Sequence, residues 1–274
     1  MTIKPMLANK FQSADKLSGG SWCVQPKLDG VRCLAYLDNG ALKLQSRSGK
    51  PLLCPEGLES GIRRIASLDW GFLDGELMLP EGYTFEQTVS AVRNGSDREL
   101  SKLLEYHIYD GRFADWNEAE FYFRWHELRA DLVRYPSPRL VLVHTSFDMV
   151  AHNELHADFI RQGYEGTMYR DLKATYKHGR SSALLKRKDF LDQEFTIIGH
   201  KVAADQHEGC VVWEVDLGNG RTCEVTPAWT LERRRAVATV AESYYGKLLT
   251  VRYQEWTADG SLRFPVGVEI RDYE

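Results

Sequence analysis

The pattern of apolar residues changes character near Asp189, and this limits the available architectures more than any other feature. Up to that point, strand-like runs alternate with amphipathic helical segments. Beyond it come short β runs at Glu194 to Lys201, Cys210 to Leu217 and Arg221 to Val225, parted by turns at Ala204 to Gly209 and Gly218-Asn219-Gly220. A helix around Leu231 to Ser243 follows, then a strand at Leu248 to Trp256, a turn at Asp259-Gly260 and a last strand near Val266 to Ile270. Five strands with one helix between the third and fourth is the order of a small Greek-key barrel such as an OB-fold. A boundary here divides the 274 residues into a larger domain over 1–189 and a β-barrel over 190–274.

The larger part reads as α+β. Trp22 to Gln25 is a strand running into Pro26. Val31 to Leu37 and Ala41 to Gln45 flank Asp38-Asn39-Gly40 as a hairpin. Glu56 to Ser67 reads as a helix with Leu58, Ile62 and Ile65 on one face, and Asn117 to Leu132 as a longer one with Phe121, Trp125 and Leu128 at helical spacing. Thr84 to Arg93 and Met149 to Gln162 are further helices. Strands are expected at Phe72 to Leu79, Leu104 to Asp110 and Leu140 to His144.

Composition excludes several classes. The chain is 43% hydrophobic and 27% charged, the balance of a globular protein rather than a disordered or fibrous one. No apolar run approaches a membrane span, and the N-terminus lacks the apolar core of a signal peptide, so a cytoplasmic, membrane-free protein is expected. The five cysteines are widely spaced without a C-x-x-C pair, which argues against a disulfide framework. His200, His207, Cys210 and Cys223 fit no common zinc spacing.

The chemistry is concentrated in Gln25-Pro26-Lys27-Leu28-Asp29-Gly30-Val31-Arg32. A lysine at a strand end beside an Asp-Gly turn is held at a pocket rim, with glycine allowing close backbone approach to a ligand. Its amine becomes a nucleophile when neutral. Alone, K-x-D-G is short enough to recur by chance. Four more segments follow in order: Ser46-Arg47-Ser48-Gly49, Leu73-Asp74-Gly75-Glu76-Leu77, Glu165-Gly166-Thr167-Met168 and Leu184-Leu185-Lys186-Arg187-Lys188. In the last, strand alternation turns Lys186 and Lys188 to one face and Arg187 to the other.

Together these segments resemble the nucleotidyltransferase motif series of ATP-dependent DNA ligases and their relatives, the RNA ligases and mRNA capping enzymes. The closing stretch from Gln254 to Pro265, with Arg263-Phe264-Pro265, followed by Arg271-Asp272, is similar to the end of DNA ligases in particular. The resemblance implies an adenylation domain of antiparallel sheets and flanking helices, followed by an OB-fold barrel. It implies ATP as substrate, Mg²⁺ (or Mn²⁺) as metal and nicked double-stranded DNA as partner, with the chain acting as a monomer.

The same resemblance implies roles. Lys27 would attack the α-phosphorus of ATP to form a lysyl–AMP phosphoramidate. AMP would pass to the 5′-phosphate at a nick, and the 3′-hydroxyl would then displace it. Lys186 and Lys188 would clamp the α-phosphate, while Glu76 and Glu165 would bind ribose and metal. Arg32 and Arg47 would contact ribose and nick phosphate. Tyr109 would stack on adenine, and Gln25, standing where the family often has glutamate, would face its amino group. Arg263 and Arg271 are expected to reach the β,γ-phosphates when the barrel closes about a hinge at Asp189 to Gln193. Only 26 residues precede Lys27, which is expected to leave no room for the extra N-terminal modules of larger or NAD-dependent ligases.

Net charge is −4, which at first argues against a nucleic-acid partner. Its distribution removes the objection. Residues 1–189 hold 26 basic and 25 acidic side chains, and residues 190–274 hold 9 and 14. From Arg170 to Lys188, the cations Arg170, Lys173, Lys177, Arg180, Lys186, Arg187 and Lys188 face Asp171 alone. Arg170, Lys173, Lys177, Arg180 and Arg47 are therefore the expected DNA contacts, and Arg233-Arg234-Arg235 is a second basic cluster. Affinity for DNA should be modest, salt-dependent and carried mainly by the first domain. The competing readings are an RNA ligase, a capping guanylyltransferase and a non-catalytic nucleotide- or DNA-binding module.

Overall fold

A computed structural model describes residues 2–94, 98–204, 206–257 and 259–271. The chain divides into two compact units, Met1–Arg187 and Lys188–Glu274.

Two sheets build the first unit. One runs β1-β10-β9-β2, from β1 (Met6–Lys10), β2 (Trp22–Lys27), β9 (Gly166–Asp171) and β10 (Gly179–Arg187). The other contains β3 (Val31–Asp38), β4 (Ala41–Ser46), β5 (Pro51–Leu52), β6 (Trp70–Met78), β7 (Glu105–Phe113) and β8 (Leu140–Leu142), in the order β5-β4-β3-β6-β7-β8. Helices α1 (Glu59–Ala66), α2 (Phe85–Asn94), α3 (Arg98–Leu103), α4 (Phe121–Arg134) and α5 (His152–Arg161) accompany them. The sheets are mixed rather than purely antiparallel, because β1 pairs with β10 and β7 with β8 in parallel. Parallel pairs join segments distant in sequence, so no local turn signal announces them.

The helical faces read from the sequence bury as expected. Leu58, Ile62 and Ile65 pack with Cys33, Ala35, Leu73, Leu77, Tyr106, Ile108 and Leu128 in one apolar core. The α1 helix starts at Glu59, three residues after the expected start, with a turn before it. The α4 helix likewise begins at Phe121 rather than Asn117 and buries Phe121, Trp125 and Leu128.

A buried ion network ties the two sheets to α4. Asp110 on β7 is fully buried and accepts from Arg124 Nε at 2.9 Å, Arg124 Nη2 at 3.1 Å and Arg170 Nη1 at 2.9 Å. Arg170 on β9 also donates through Nε to Gln25 Oε1 on β2 at 2.6 Å. Arg124 Nη1 reaches the carbonyls of Ala119 at 2.6 Å and Ala174 at 3.1 Å. Both buried guanidiniums thus face the Asp110 carboxylate, the condition under which buried charge is tolerated.

The second unit contains the closed barrel β11-β12-β13-β15-β14. Its strands are β11 (Leu191–Val202), β12 (Val211–Asp216), β13 (Thr222–Pro227), β14 (Leu248–Tyr253) and β15 (Val266–Arg271). Helix α6 (Leu231–Ala238) lies between the third and fourth strands, and Thr230 caps it by accepting from Arg233 N–H at 3.2 Å. Alternating residues of β12 point inward, with Val211, Trp213 and Val215 meeting Val225, Leu249 and Val251 in the core. In the Arg233 to Arg235 cluster, Arg233 and Arg235 are exposed. Arg233 pairs with Glu269 at 2.5 Å and Arg234 is buried. Leu191 to Gln193 are already in the β11–β14 ladder, which leaves residues 188–190 between β10 and β11.

Replacing Arg124 with Met leaves the Asp110 carboxylate with one guanidinium instead of two. A loss of about 3–5 kcal/mol is expected, read from the midpoint of urea unfolding.

Candidate active site

Lys27 ends β2, where it pairs in register with Gly166, and its Nζ forms an ion pair with Glu165 Oε2. Glu165 N–H in turn donates to the Lys27 carbonyl at 3.0 Å. The nucleophile expected at position 27 and one of the two expected carboxylates are therefore in direct contact, although 138 residues separate them. Both are largely withdrawn from solvent, with side-chain exposures of 21% and 6%.

Gly30 matters here for packing rather than for a positive φ. A Cβ at this position would stand 2.6 Å from the Leu77 carbonyl oxygen and 2.7 Å from Glu76 Cγ. The chain after Lys27 can lie against β6, and so against Glu76, only because residue 30 has no side chain.

Arg32 on β3 sits opposite Glu76 in the β3–β6 ladder and diagonal to Asp74. Its guanidinium grips Asp74 in a fork, Nε to Oδ1 at 2.9 Å and Nη2 to Oδ2 at 2.6 Å. Tyr176 Oη donates to the same Oδ2 at 2.6 Å. Asp74 is fully buried and was not singled out in the sequence. The available signal was strand alternation, which puts Asp74 and Glu76 on one face with Arg32 across from them.

Glu76 lacks such a fork. Its carboxyl is pushed up to about 8, chiefly by burial; Arg32 opposes the rise, and Asp74 and Asp29 add to it. An excess of carboxylates over free cations suits a hard divalent ion, which takes oxygen ligands and commonly uses one or two carboxylates plus substrate phosphates. Among the described residues, no group of three or more His, Cys, Asp or Glu forms a ready-made cage.

Tyr109 is half-buried. Its ring centroid lies 5.0 Å from Arg170 Cζ and 5.8 Å from Arg32 Cζ, and its hydroxyl lies 3.5 Å from Glu76 Oε2. Gln25 is 1% exposed, and both ends of its amide are engaged. Oε1 accepts from Arg170, and Nε2 donates to Thr145 Oγ1 at 2.9 Å. The position expected to face adenine is thus built into the wall behind Lys27, and Thr145 joins it unanticipated.

The expected DNA contacts separate by burial. Arg47, Lys173, Lys177 and Arg180 are exposed. Arg170 is 4% exposed and committed to Asp110 and Gln25, so its expected DNA contact is corrected to a structural role. Lys186 on β10 is half-buried, and its amine is pushed down from the usual lysine range by burial and by Arg47, Arg180 and Lys10.

Lys188 opens the second unit, where its Nζ donates to Gln254 Oε1 at 3.2 Å. Arg263, also in that unit, pairs with Glu255 at 2.7 Å. Phe264 beside it is exposed with φ +53°, a left-handed conformation uncommon for an aromatic residue. Arg271 donates from Nε to Thr250 Oγ1 at 2.8 Å and lies 3.4 Å from Glu194. Asp272 lies outside the described residues.

Comparison with known proteins agrees with the motif series. Residues 5–188 match the ATP dependent DNA ligase domain, and residues 206–271 match the DNA ligase OB-like domain. The chain belongs to the ATP-dependent DNA ligase family. A DNA ligase of African swine fever virus is 27% identical over 277 residues, covering 92% of this chain and 64% of the viral protein. The chain thus spans less than two-thirds of that relative. A Haemophilus influenzae DNA ligase is 26% identical over 251 residues, covering 89% of this chain and 84% of its own length. Among solved structures, a Lig E DNA ligase described as binding DNA with a minimal scaffold superposes with a TM-score of 0.79 at 22% identity, covering 99% of this chain and 100% of its own. The Chlorella virus DNA ligase-adenylate superposes at 0.54 with 25% identity over the whole of both chains. Among the described residues, no helix is long and apolar enough to cross a membrane.

The raised Glu76 carboxyl has a stability consequence. The folded chain keeps this proton where the unfolded chain has lost it, so stability falls as pH rises from 4.5 to about 8. Without metal or nucleotide, Glu76→Gln should be more stable than wild type at pH 8, by up to about 4 kcal/mol, with the gap closing toward pH 4.5. Melting curves in a metal chelator across that range measure it.

Proposed function

We propose that this chain seals nicks in duplex DNA at the expense of ATP, through a lysyl–AMP on Lys27 and an adenylylated 5′-phosphate. The contact between Lys27 Nζ and Glu165, at a strand end beside Gly30 and Glu76, carries this reading. Lys27 Nζ bonds to the α-phosphorus as the bond to pyrophosphate breaks, and Glu165 is the group in contact with Nζ that can take its proton. The nick 5′-phosphate then displaces Lys27 from the AMP phosphorus. Finally the 3′-hydroxyl attacks that 5′-phosphorus, and AMP leaves. All three steps spread charge over equatorial phosphate oxygens, so cations and positioning supply the catalysis.

In this reading, Lys186, Lys188, Arg263 and Arg271 stabilise nucleotide phosphates. Tyr109 and the Arg32–Asp74 fork shape the nucleoside site. Glu76 would hold Mg²⁺, with Glu165 joining once Lys27 carries AMP; the ion would neutralise phosphate charge during transfer. Arg47, Lys173, Lys177 and Arg180 would grip DNA, and the chain would act as a monomer. The match to the DNA ligase OB-like domain over residues 206–271 favours DNA over RNA joining or capping.

Incubation with α-labelled ATP and Mg²⁺ tests the reading. The wild-type chain should acquire covalent label, and Lys27→Ala should acquire none. Glu165→Gln should slow labelling about a hundredfold, the scale of a lost proton acceptor. A wild-type chain that stays unlabelled, or a labelled Lys27→Ala, overturns it.

A further inference from the structure

Lys10 closes β1 and stands opposite Lys186 in the parallel β1–β10 ladder, so both side chains leave the sheet on one face. The pairing is tight there, with Phe11 N–H donating to the Lys186 carbonyl at 2.8 Å. Arg180, on the same β10, sends Nη1 across to the Ala8 carbonyl of β1 at 2.8 Å. Arg47 comes in from the turn after β4. Lys186 stands opposite Lys10 in the ladder, and its amine is pushed down by burial and by the positive charges of Arg47, Arg180 and Lys10.

Among the described residues, none of the four has a carboxylate within ion-pair distance. Gathered like charge with no counterion favours binding of an anion. Three of the four are exposed, namely Lys10, Arg47 and Arg180, while Lys186 is half-buried. They come from the end of one strand, a turn and a second strand. That spread suits a row of phosphates along a surface better than one nucleotide in a pocket.

We propose that Lys10 is a DNA contact: with Arg47 and Arg180 it forms a surface site for consecutive backbone phosphates of the nicked duplex, leading inward to Lys186. The inference rests on the ligase reading and assigns part of its substrate grip to β1. Because the contact is with phosphate, it is blind to sequence and sensitive to salt.

The test is binding of a fluorescent nicked duplex to the full chain over a KCl series, using wild type, Lys10→Ala and Lys10→Arg, with the melting temperature of each variant recorded. Removing one phosphate contact should weaken binding about eightfold near 0.1 M salt and lower the slope of log K against log salt by about 0.9. Lys10→Arg should restore both. Unchanged affinity and slope in Lys10→Ala overturn the proposal. So does a loss of labelling by α-labelled ATP with DNA binding intact, which would assign Lys10 to the nucleotide instead. Failure of the ligase reading looks different: wild type would neither acquire label nor seal the nick, whatever its affinity for DNA.

Discussion

The first unit depends on one buried carboxylate. Asp110 receives guanidinium hydrogen bonds from Arg124 on α4 and from Arg170 on β9, and through Arg170 it is linked to Gln25 on β2. Lys27 lies two residues beyond Gln25 on that strand. A charge this deep is costly alone and tolerable only when every partner is in place. The network therefore has one satisfied arrangement. That arrangement sets β2, and with it Lys27, against β9, where Gly166 follows Glu165.

The site divides its charges into settled and waiting groups. Asp74 and Asp110 are fully buried and matched by Arg32, Arg124 and Arg170, and they hold shape. Glu76 is half-buried without such a fork and keeps its proton far above the usual carboxylate range. Lys186 is crowded by other cations, which depress its amine. Glu76 shares its one facing guanidinium, Arg32, with Asp74, whereas the charges acting on Lys186 are all positive.

Much of this was legible in sequence, for physical reasons. The Asp38-Asn39-Gly40 hairpin, the Leu58-Ile62-Ile65 face and the five-stranded barrel order are local or periodic signals, and chain stiffness and apolar burial act on them directly. The β1 strand escaped notice because it pairs with β10, more than 170 residues away in sequence and parallel to it. Arg170 was misread because one more basic residue in a basic run carries no sign of burial. Gly30 was read as letting the backbone approach a ligand, whereas the close approach is to the backbone of β6 a few ångströms away.

The sequence by itself determined which chemical groups are available and in what order: a lysine before Asp-Gly, two carboxylates each beside a glycine, paired lysines and a closing barrel. Spacing and alternation suffice for that, because they act along the chain. Tertiary structure alone decided which of those groups are free to act. It spent Arg32, Arg170 and Gln25 on buried partners, left Glu76 without a matched cation, and brought Lys10 beside Lys186. Those outcomes depend on desolvation and on distances between segments remote in sequence, and neither quantity exists until the sheets have packed.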